Sequence, residues 1–155
     1  MKLRIVALGQ RMPAWVSVAF EDYARRLPRD FGLELVEVKP EPRNRGKTVA
    51  QVLAAEARRI AAATKSFRIV ALDERGEMLT TARFAERLRN WREDSRDTAF
   101  VIGSADGIAE TVKRGADVTM ALSALTLPHG LARILLVEQL YRAVSLLQGH
   151  PYHRE

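Results

Sequence analysis

The last six residues of the chain carry the side chains best suited to chemistry, because two histidines, a tyrosine and an arginine stand between His150 and Glu155. Imidazole can transfer a proton near neutral pH, an aromatic ring can stack on a base, and a guanidinium can bind a phosphate or an oxyanion. A tail without function is the competing interpretation, since chain termini usually fray and tolerate change. The residue types themselves suit a segment that binds a base or RNA.

Three further candidate segments each follow an apolar run of the sequence. They are Leu72 to Gly76, Gly103 to Gly107, and Leu122 to His129. In parallel sheets, ligands bind outside the carboxyl ends of the strands, where such loops lie. A glycine in any one of them could simply permit a turn. Three such loops after consecutive apolar strands together predict a shared pocket.

Several common site motifs are absent from the sequence. Neither G-x-G-x-x-G nor G-x-x-x-x-G-K-[ST] occurs, which argues against an ordinary dinucleotide-binding enzyme or an ATPase. No H-E-x-x-H or comparable ligand spacing occurs either, so we expect no metal site.

Cysteine is also absent from the 155 residues, which removes disulfides, thiolate ligands and a cysteine nucleophile. A pyrimidine methylase that adds covalently to the ring would need that nucleophile. The apolar run from Leu3 to Leu8 is too short for a signal peptide or a membrane span. We therefore expect a cytoplasmic protein without a membrane partner.

The charge of the chain favours a polyanionic partner. Lysine and arginine outnumber aspartate and glutamate by 25 to 19, which gives a net charge of +6. Each phosphate that a cation neutralises releases counterions, so a basic balance promotes binding to nucleic acid. A compositional habit of the organism is the alternative explanation. We nominate Lys39, Arg43, Arg45 and Lys47 as contacts to RNA phosphates.

Apolar runs rich in β-forming residues alternate with segments of helical spacing. The predicted strands are Leu3 to Leu8, Leu33 to Val38, Phe67 to Leu72, Thr98 to Ile102 and Val118 to Leu122. The predicted helices are Ala14 to Leu27, Thr48 to Thr64, Thr81 to Trp91, a short helix after Gly107, and Leu131 to Leu147. This alternation predicts a single α/β domain over residues 1–155, with a mostly parallel sheet flanked by helices on both faces.

The helix from Leu131 to Leu147 is apolar over most of its circumference. One of its faces can cover the sheet while another meets a partner, which predicts a homodimer. Glu138 and Arg142 stand four residues apart and can pair on one face of this helix. A merely solvated ion pair is the alternative interpretation of these two residues.

Several of these segments resemble one protein family. The most specific are the run LSALTLPH from Leu122 to His129 and the ending PYHRE from Pro151 to Glu155. The other matching positions are Met1 to Leu3, Arg45 to Lys47, Leu72 and Asp73, Phe100 to Gly103, Arg133, Glu138, Tyr141 and Arg142. Together they resemble the RlmH family, SPOUT-class methyltransferases that act on N3 of a pseudouridine in large-subunit ribosomal RNA.

This resemblance implies a fold and an activity that the patterns alone do not give. It implies a SPOUT domain with a C-terminal trefoil knot, although knots are nearly absent among protein folds. It implies S-adenosyl-L-methionine as methyl donor, ribosomal RNA in the assembled ribosome as substrate, and a homodimer with its active site at the subunit interface. Ser104 and Gly149 depart from the family pattern, which has a glycine and an asparagine there.

The resemblance also assigns residues to the site. The cofactor-binding positions would be Leu72, Gly103, Leu122, Ser123, Ala124, Leu125, Thr126 and Leu127. The substrate side would hold His129, Arg142, Tyr152, His153 and Arg154.

We expect the ring nitrogen of the target base to attack the methyl group directly while a positioned base removes its proton. The candidate bases are His153, then His129, with Asp106 as a weaker choice, and Arg154 or Arg142 would stabilise the charge that develops on oxygen. Two alternatives stay open at this point: a non-catalytic ribosome-binding protein, and a SPOUT methyltransferase that acts on transfer RNA.

Overall fold

The computed structural model describes residues 1–44 and 46–154, except for the side chain of His153. The strands of the described chain are β1 (Leu3–Leu8), β2 (Leu33–Val38), β3 (Arg68–Met78), β4 (Thr98–Ile102) and β5 (Val118–Ala121). The helices are α1 (Ala14–Ala24), α2 (Val49–Ala63), α3 (Thr81–Glu93), α4 (Glu110–Gly115) and α5 (His129–Leu147). Short 3-10 turns lie at Arg29–Phe31 and Pro151–Arg154.

All neighbouring strands in the sheet are parallel, and their order is β2-β1-β4-β3-β5. The central strand, β4, has all five of its residues buried. Its near-continuous apolar sequence is typical of a strand covered on both faces. The predicted α/β class with a parallel sheet flanked by helices is confirmed. The trefoil knot that the resemblance implies stays a prediction.

Two hydrophobic cores lie on opposite faces of the sheet, because successive residues of a strand point in opposite directions. On one face Ile5 packs with residues of α1, α3 and α5, whereas on the other face Val6 packs with Ile60 of α2. The start of α2 is fixed locally, since Thr48 and Gln51 form a reciprocal capping box. The start of α2 thus lies within one residue of the predicted start at Thr48.

The third strand is longer than the sequence predicts. The pattern predicts an end at Leu72 and a turn through Gly76, but β3 continues beyond both residues. Leu72 and Glu77 each pair with Met120, so residues 73–76 leave the ladder as a bulge. A Cβ atom on Gly76 would lie 2.6 Å from the backbone of Met120. The glycine therefore permits a close approach between β3 and β5, not a terminating turn.

Two helix boundaries also differ from the prediction. Helix α1 ends at Ala24 and not at Leu27, because the proline after Leu27 disfavours helical backbone at the residue before it. Helix α5 begins at His129, two residues before the predicted start at Leu131. Pro128 occupies the position before its first turn, where the fixed φ of proline and its missing N–H cost nothing. The earlier start places the His129 side chain on the first turn of α5.

Candidate functional site

A cavity of about 820 Å³ opens at the carboxyl edge of the sheet. The three loops that the sequence singles out all contribute to its wall, together with the loops after β1 and β2. Seven of the eight predicted cofactor residues line it: Leu72, Gly103, Leu122, Ser123, Leu125, Thr126 and Leu127. Ala124 belongs to the same loop and is exposed, but it does not line the cavity. The loops converge because parallel strands all end at one edge of the sheet.

The loop of residues 103–107 is a closed turn. The Gly107 N–H donates to the Ser104 carbonyl at 2.9 Å, and Gly107 has a φ of 84°, in the region that favours glycine. A Cβ atom on Gly103 would lie 2.5 Å from the Gly107 carbonyl oxygen. Gly103 is therefore needed for the turn to close, and the backbone of the loop forms that part of the cavity wall.

His129 connects this turn to the first turn of α5. Its Nδ1 lies 3.1 Å from the Gly103 carbonyl oxygen, and the Arg133 Nε–H donates to its Nε2 at 2.9 Å. A guanidinium can only donate, so Nε2 accepts and the ring proton lies on Nδ1, where it is donated to Gly103. Burial and the neighbouring Arg133 charge lower the pKa of His129. Since both ring nitrogens are engaged and the ring is neutral, this geometry counts against His129 as the catalytic base.

Arg133 is the buried centre of this arrangement, with 2% of its surface exposed. Besides His129, its guanidinium donates to Glu37 Oε2 at 2.7 Å and to the Gly9 carbonyl at 2.8 Å. It thus ties α5 to the ends of β1 and β2. The sequence marks Arg133 only as a family residue and gives it no role. The spacing of four residues between His129 and a cation in the apolar first half of this helix is the signal that could have found Arg133.

A buried carboxylate, that of Glu56, contacts the turn of residues 103–107 through Ser104. Glu56 of α2 is only 1% exposed, and the Ser104 hydroxyl donates to its Oε1 at 2.8 Å. Its Oε2 is buried and has no hydrogen-bond partner among the described residues. Sequence patterns do not single out Glu56, because its place on α2 resembles that of an ordinary surface glutamate. The structure makes it a positioning residue for the cavity wall through Ser104.

The bulge of β3 is held by an ion pair at the cavity. Asp73 accepts from the Arg75 N–H at 2.9 Å and from Lys113 Nζ at 3.1 Å. Burial raises the pKa of the Asp73 carboxyl, but these two hydrogen bonds outweigh it and leave the pKa below its usual value. The ionised carboxylate therefore fixes the shape of residues 73–76.

Asp106, the weaker candidate base, lines the cavity but is paired. The Arg43 Nε–H donates to its Oδ2 at 2.6 Å. One oxygen of the Asp106 carboxylate is therefore already occupied by a cation. This contact joins the loop after β2 to the turn after β4.

The tail folds back onto the far half of α5. The rings of Tyr141 and Tyr152 have centroids 4.6 Å apart, and the Arg142 guanidinium lies 4.8 Å from the Tyr152 ring centroid. The Tyr152 hydroxyl donates to Glu138 Oε1 at 3.2 Å, and Arg142 pairs with the same oxygen at 2.7 Å. Burial, a hydrogen bond with Tyr23 and the Glu138 charge raise the pKa of Tyr152, so its hydroxyl stays protonated at neutral pH. The tail is thus anchored in the described chain.

Within one chain the tail and the cavity lie far apart. Arg142 follows His129 by thirteen residues of α5, which corresponds to a rise of about 20 Å. The structure therefore brings Tyr152 to Arg142 but brings neither to the cavity. Arg154 is exposed beside them. The side chain of His153, the first candidate base, lies outside the described residues.

Two kinds of feature are absent from the described ranges. No group of three or more histidine, cysteine, aspartate or glutamate side chains is placed to hold a metal ion there. In residues 1–44 and 46–154, no helix combines the length and apolarity that crossing a membrane requires.

Comparison with known proteins gives this site its context. Residues 1–153 match a family model described as predicted SPOUT methyltransferase. A protein of Methylibium petroleiphilum is 58% identical over 156 residues, covering 100% of both chains. Proteins of Nitrosospira multiformis and Bordetella petrii are each 54% identical over 155 residues, covering 99% of both chains. All three relatives are named ribosomal RNA large subunit methyltransferase H.

Solved structures support the fold. A probable methylase family protein from Haemophilus influenzae aligns with a TM-score of 0.62 at 15% identity, over 97% of this chain and 69% of that one. A tRNA (m1G37) methyltransferase from Aquifex aeolicus aligns with a TM-score of 0.51 at 16% identity, over 95% of this chain and 70% of that one. At these identities the likeness is one of fold.

Proposed function

The chain belongs to the SPOUT methyltransferase family, and on this premise we propose that it methylates large-subunit ribosomal RNA with S-adenosylmethionine as methyl donor. The observation that carries the proposal is the identity of 54–58% over the whole chain to methyltransferases named for that RNA. The finer assignment, N3 of a pseudouridine in assembled ribosomes in the cytoplasm, rests on the resemblance of the loop from Leu122 to His129 and of the tail.

The cavity suits the methyl donor in size and in the character of its wall. Its volume of about 820 Å³ falls in the range of small-molecule and cofactor sites. Leu72, Gly103, Leu122, Ser123 and residues 125–127, which line the cavity, would hold the donor. When bound, S-adenosylmethionine supplies the electrophilic methyl group that the base nitrogen takes up. The residues of the chain must hold this wall in place and must position the target nucleobase against it.

The His129 and Arg133 pair performs the first part of that task. By holding the Gly103 carbonyl, His129 prevents the turn of residues 103–107 from moving relative to α5. Pre-organised walls lower the ordering cost of binding. We assign both residues to positioning and not to proton transfer.

The tail performs the second part in the cavity of a partner subunit. It lies about 20 Å along α5 from its own cavity, so it reaches the methyl donor only across a dimer. Trp15 and Val18 of α1 are 56% and 66% exposed, and Leu131 of α5 is 37% exposed. Exposed apolar residues on two helices that pack together mark a surface that a second copy would cover.

Proton removal from the target nitrogen is assigned to His153, with Arg154 and Arg142 stabilising the oxygen that gains charge. Tyr152 is unsuited to act as base, because its raised pKa keeps the hydroxyl protonated. Its ring instead holds the tail on α5 through Arg142 and Tyr141. Tyr152 is therefore an anchor for its two neighbours in the chain.

The test uses large ribosomal subunits from cells that lack this methyltransferase, incubated with the purified protein and S-adenosylmethionine labelled in the methyl group. We expect label in large-subunit RNA, and mass spectrometry of its nucleosides should place the methyl on a pseudouridine. Label in transfer RNA alone would favour the second methyltransferase hypothesis. Ribosome binding without any cofactor affinity would favour the non-catalytic docking protein, and either result would contradict the proposal.

A further inference from the structure

Two exposed arginines lie on segments that contribute to the cavity wall, one on the loop after β1 and one in the bulge of β3. Arg11 lies between Gly9 and Met12, which both line the cavity, and Arg75 lines it directly. Both arginines are exposed, and neither forms an ion pair with a carboxylate in the described ranges. Two positive charges that form no ion pair among the described residues thus lie on segments that border the cavity.

The backbone of Arg11 has an unfavourable conformation. Its φ is 56°, in the left-handed region, which costs a residue with a Cβ atom roughly 1–2 kcal/mol and costs glycine almost nothing. Strained backbone of this kind is concentrated at functional sites, where the surrounding structure holds it. An arginine here, where glycine would be more stable, points to a use for its side chain.

Arg75 stands on a rigid platform. Its backbone N–H donates to Asp73, which Lys113 holds in turn, and Gly76 packs against the backbone of Met120. The side chain therefore projects from a bulge whose backbone is fixed on both sides. The Arg75 charge also helps to lower the pKa of Asp73, but the two form no ion pair.

Two of the four cations that the sequence nominated for RNA contact already pair with a carboxylate. Arg43 pairs with Asp106 at 2.6 Å, and Lys47 pairs with Glu41 at 2.5 Å. Arg45 lies outside the described residues, and Lys39 is exposed without an ion pair among the described ones. Charges that already carry a carboxylate gain less from a phosphate, so the structure moves the expected footprint towards the cavity.

We propose that Arg11 and Arg75 bind the RNA phosphates on the two sides of the nucleotide that enters the cavity. Strands β1 and β3 each pair with β4, so their ends lie about 10 Å apart with the turn of residues 103–107 between them. A base that must reach a methyl donor in the cavity leaves its stack, and the phosphates on either side of it then lie near the cavity wall. The inference rests on the proposed function, because it presupposes an RNA substrate.

The experiment measures equilibrium binding to unmodified large ribosomal subunits over a series of KCl concentrations. The variants are Arg11→Gly and Arg75→Ala. The matched control is Arg29→Ala, because Arg29 is also exposed without an ion pair among the described residues but precedes β2 at the opposite edge of the sheet. Each test variant should lower the log–log salt slope by about 0.7–0.9 and weaken binding roughly fivefold at 0.1 M KCl. The control should match the wild type.

Two further readings separate an RNA contact from a structural role. Arg11→Gly should melt at the same temperature as the wild type or higher, and both variants should keep the wild-type affinity for S-adenosylmethionine in calorimetry. Salt slopes equal to that of the control, or a loss of cofactor affinity, would overturn the inference while wild-type methylation of ribosomes still upheld the proposed function. If the wild-type protein methylates no ribosomal RNA, both the inference and the proposed function are wrong.

Discussion

The cavity and the tail lie towards opposite ends of the same helix, and different interactions hold them. At the start of α5, His129 and Arg133 form hydrogen bonds that reach three strand ends, and Arg133 is buried. Towards the other end, Tyr152 is held by contacts to half-buried side chains of α5 and by Tyr23. The cavity is thus tied to the sheet, whereas the tail is attached to one surface of the fold.

The two regions suit different parts of the proposed reaction, because the cavity would bind the methyl donor and the tail would contact the RNA. A methyl donor needs a wall with little freedom, which buried polar networks provide when they are satisfied. A segment that meets the RNA must exchange its contacts for new ones at little cost, which a single turn on the surface allows. The two regions should therefore respond differently to mutation, and the predictions below separate them.

The largest effect is expected from removal of the tail. Deletion of residues 152–155 should abolish methylation of ribosomes, because it removes the assigned base and Arg154. Cofactor affinity should remain near the wild-type value, since the cavity lies about 20 Å away along α5. Activity is measured by methyl transfer, and affinity by calorimetry. A truncated protein with normal turnover would make the tail a passive chain end.

A mixing experiment sharpens this comparison by asking which cavity the tail serves. Thr126→Trp should fill the cavity with an indole while leaving the tail intact, because Thr126 is exposed and lines the cavity. Co-expressed with the truncated chain, it should restore activity, since a mixed dimer has one complete site. An inactive mixture that light scattering shows to be dimeric would mean that each tail serves its own cavity.

The second effect concerns the buried cation. Arg133→Met should lower the free energy of unfolding by about 3 kcal/mol, because it leaves His129 Nε2 and the Gly9 carbonyl without their donor. Cofactor affinity should fall with it as the turn of residues 103–107 loosens. The control is Arg96→Met, which breaks the ion pair between Arg96 and Asp117, whose side chains are 46% and 34% exposed. It should cost at most about 1 kcal/mol. Denaturant unfolding measures both free energies. Equal losses of stability in the two variants would contradict the structural role assigned to Arg133.

The third effect is expected at the buried carboxylate. Ser104→Ala should cost about 1–3 kcal/mol, because both Glu56 oxygens would then be buried without a partner. Adding Glu56→Leu to Ser104→Ala should recover stability, since neither polar group remains. A double-mutant cycle on unfolding free energies measures this coupling. Strictly additive losses would show that Ser104 and Glu56 act independently.

The smallest effect is a pH dependence from His129. Its folded-state pKa lies below the ordinary value of about 6.5, so the unfolded chain takes up a proton first as the pH falls. The stabilising contribution is complete above pH 6.5 and is lost as the pH falls from there through the folded-state pKa. His129→Gln should flatten this part of the stability profile. Melting curves from pH 7.5 to 5 provide the comparison, and identical slopes would show that His129 does not titrate in this way.

Several parts of the fold follow from the sequence alone. The continuous apolar run of β4 predicts a strand buried on both faces, and the helical spacing predicts the starts of α1 at Ala14 and of α3 at Thr81. These signals are local, so each can be recognised within one turn or one strand. The convergence of three loops also follows, because parallel strands must end at the same edge. Seven of the eight residues assigned to the cofactor therefore line the cavity.

Only the tertiary structure decided what depends on partners distant in the chain. Gly76 indicates a turn locally, but its contact with Met120 makes it a close approach within a bulge. His129 resembles a free base until Arg133 and Gly103 are placed on its two nitrogens. The contact of Tyr152 with Tyr141 and Arg142 depends on how the tail folds back along α5. In each case the residue type limits the roles that the side chain can have. The neighbouring residues in the folded chain determine which of these roles it has.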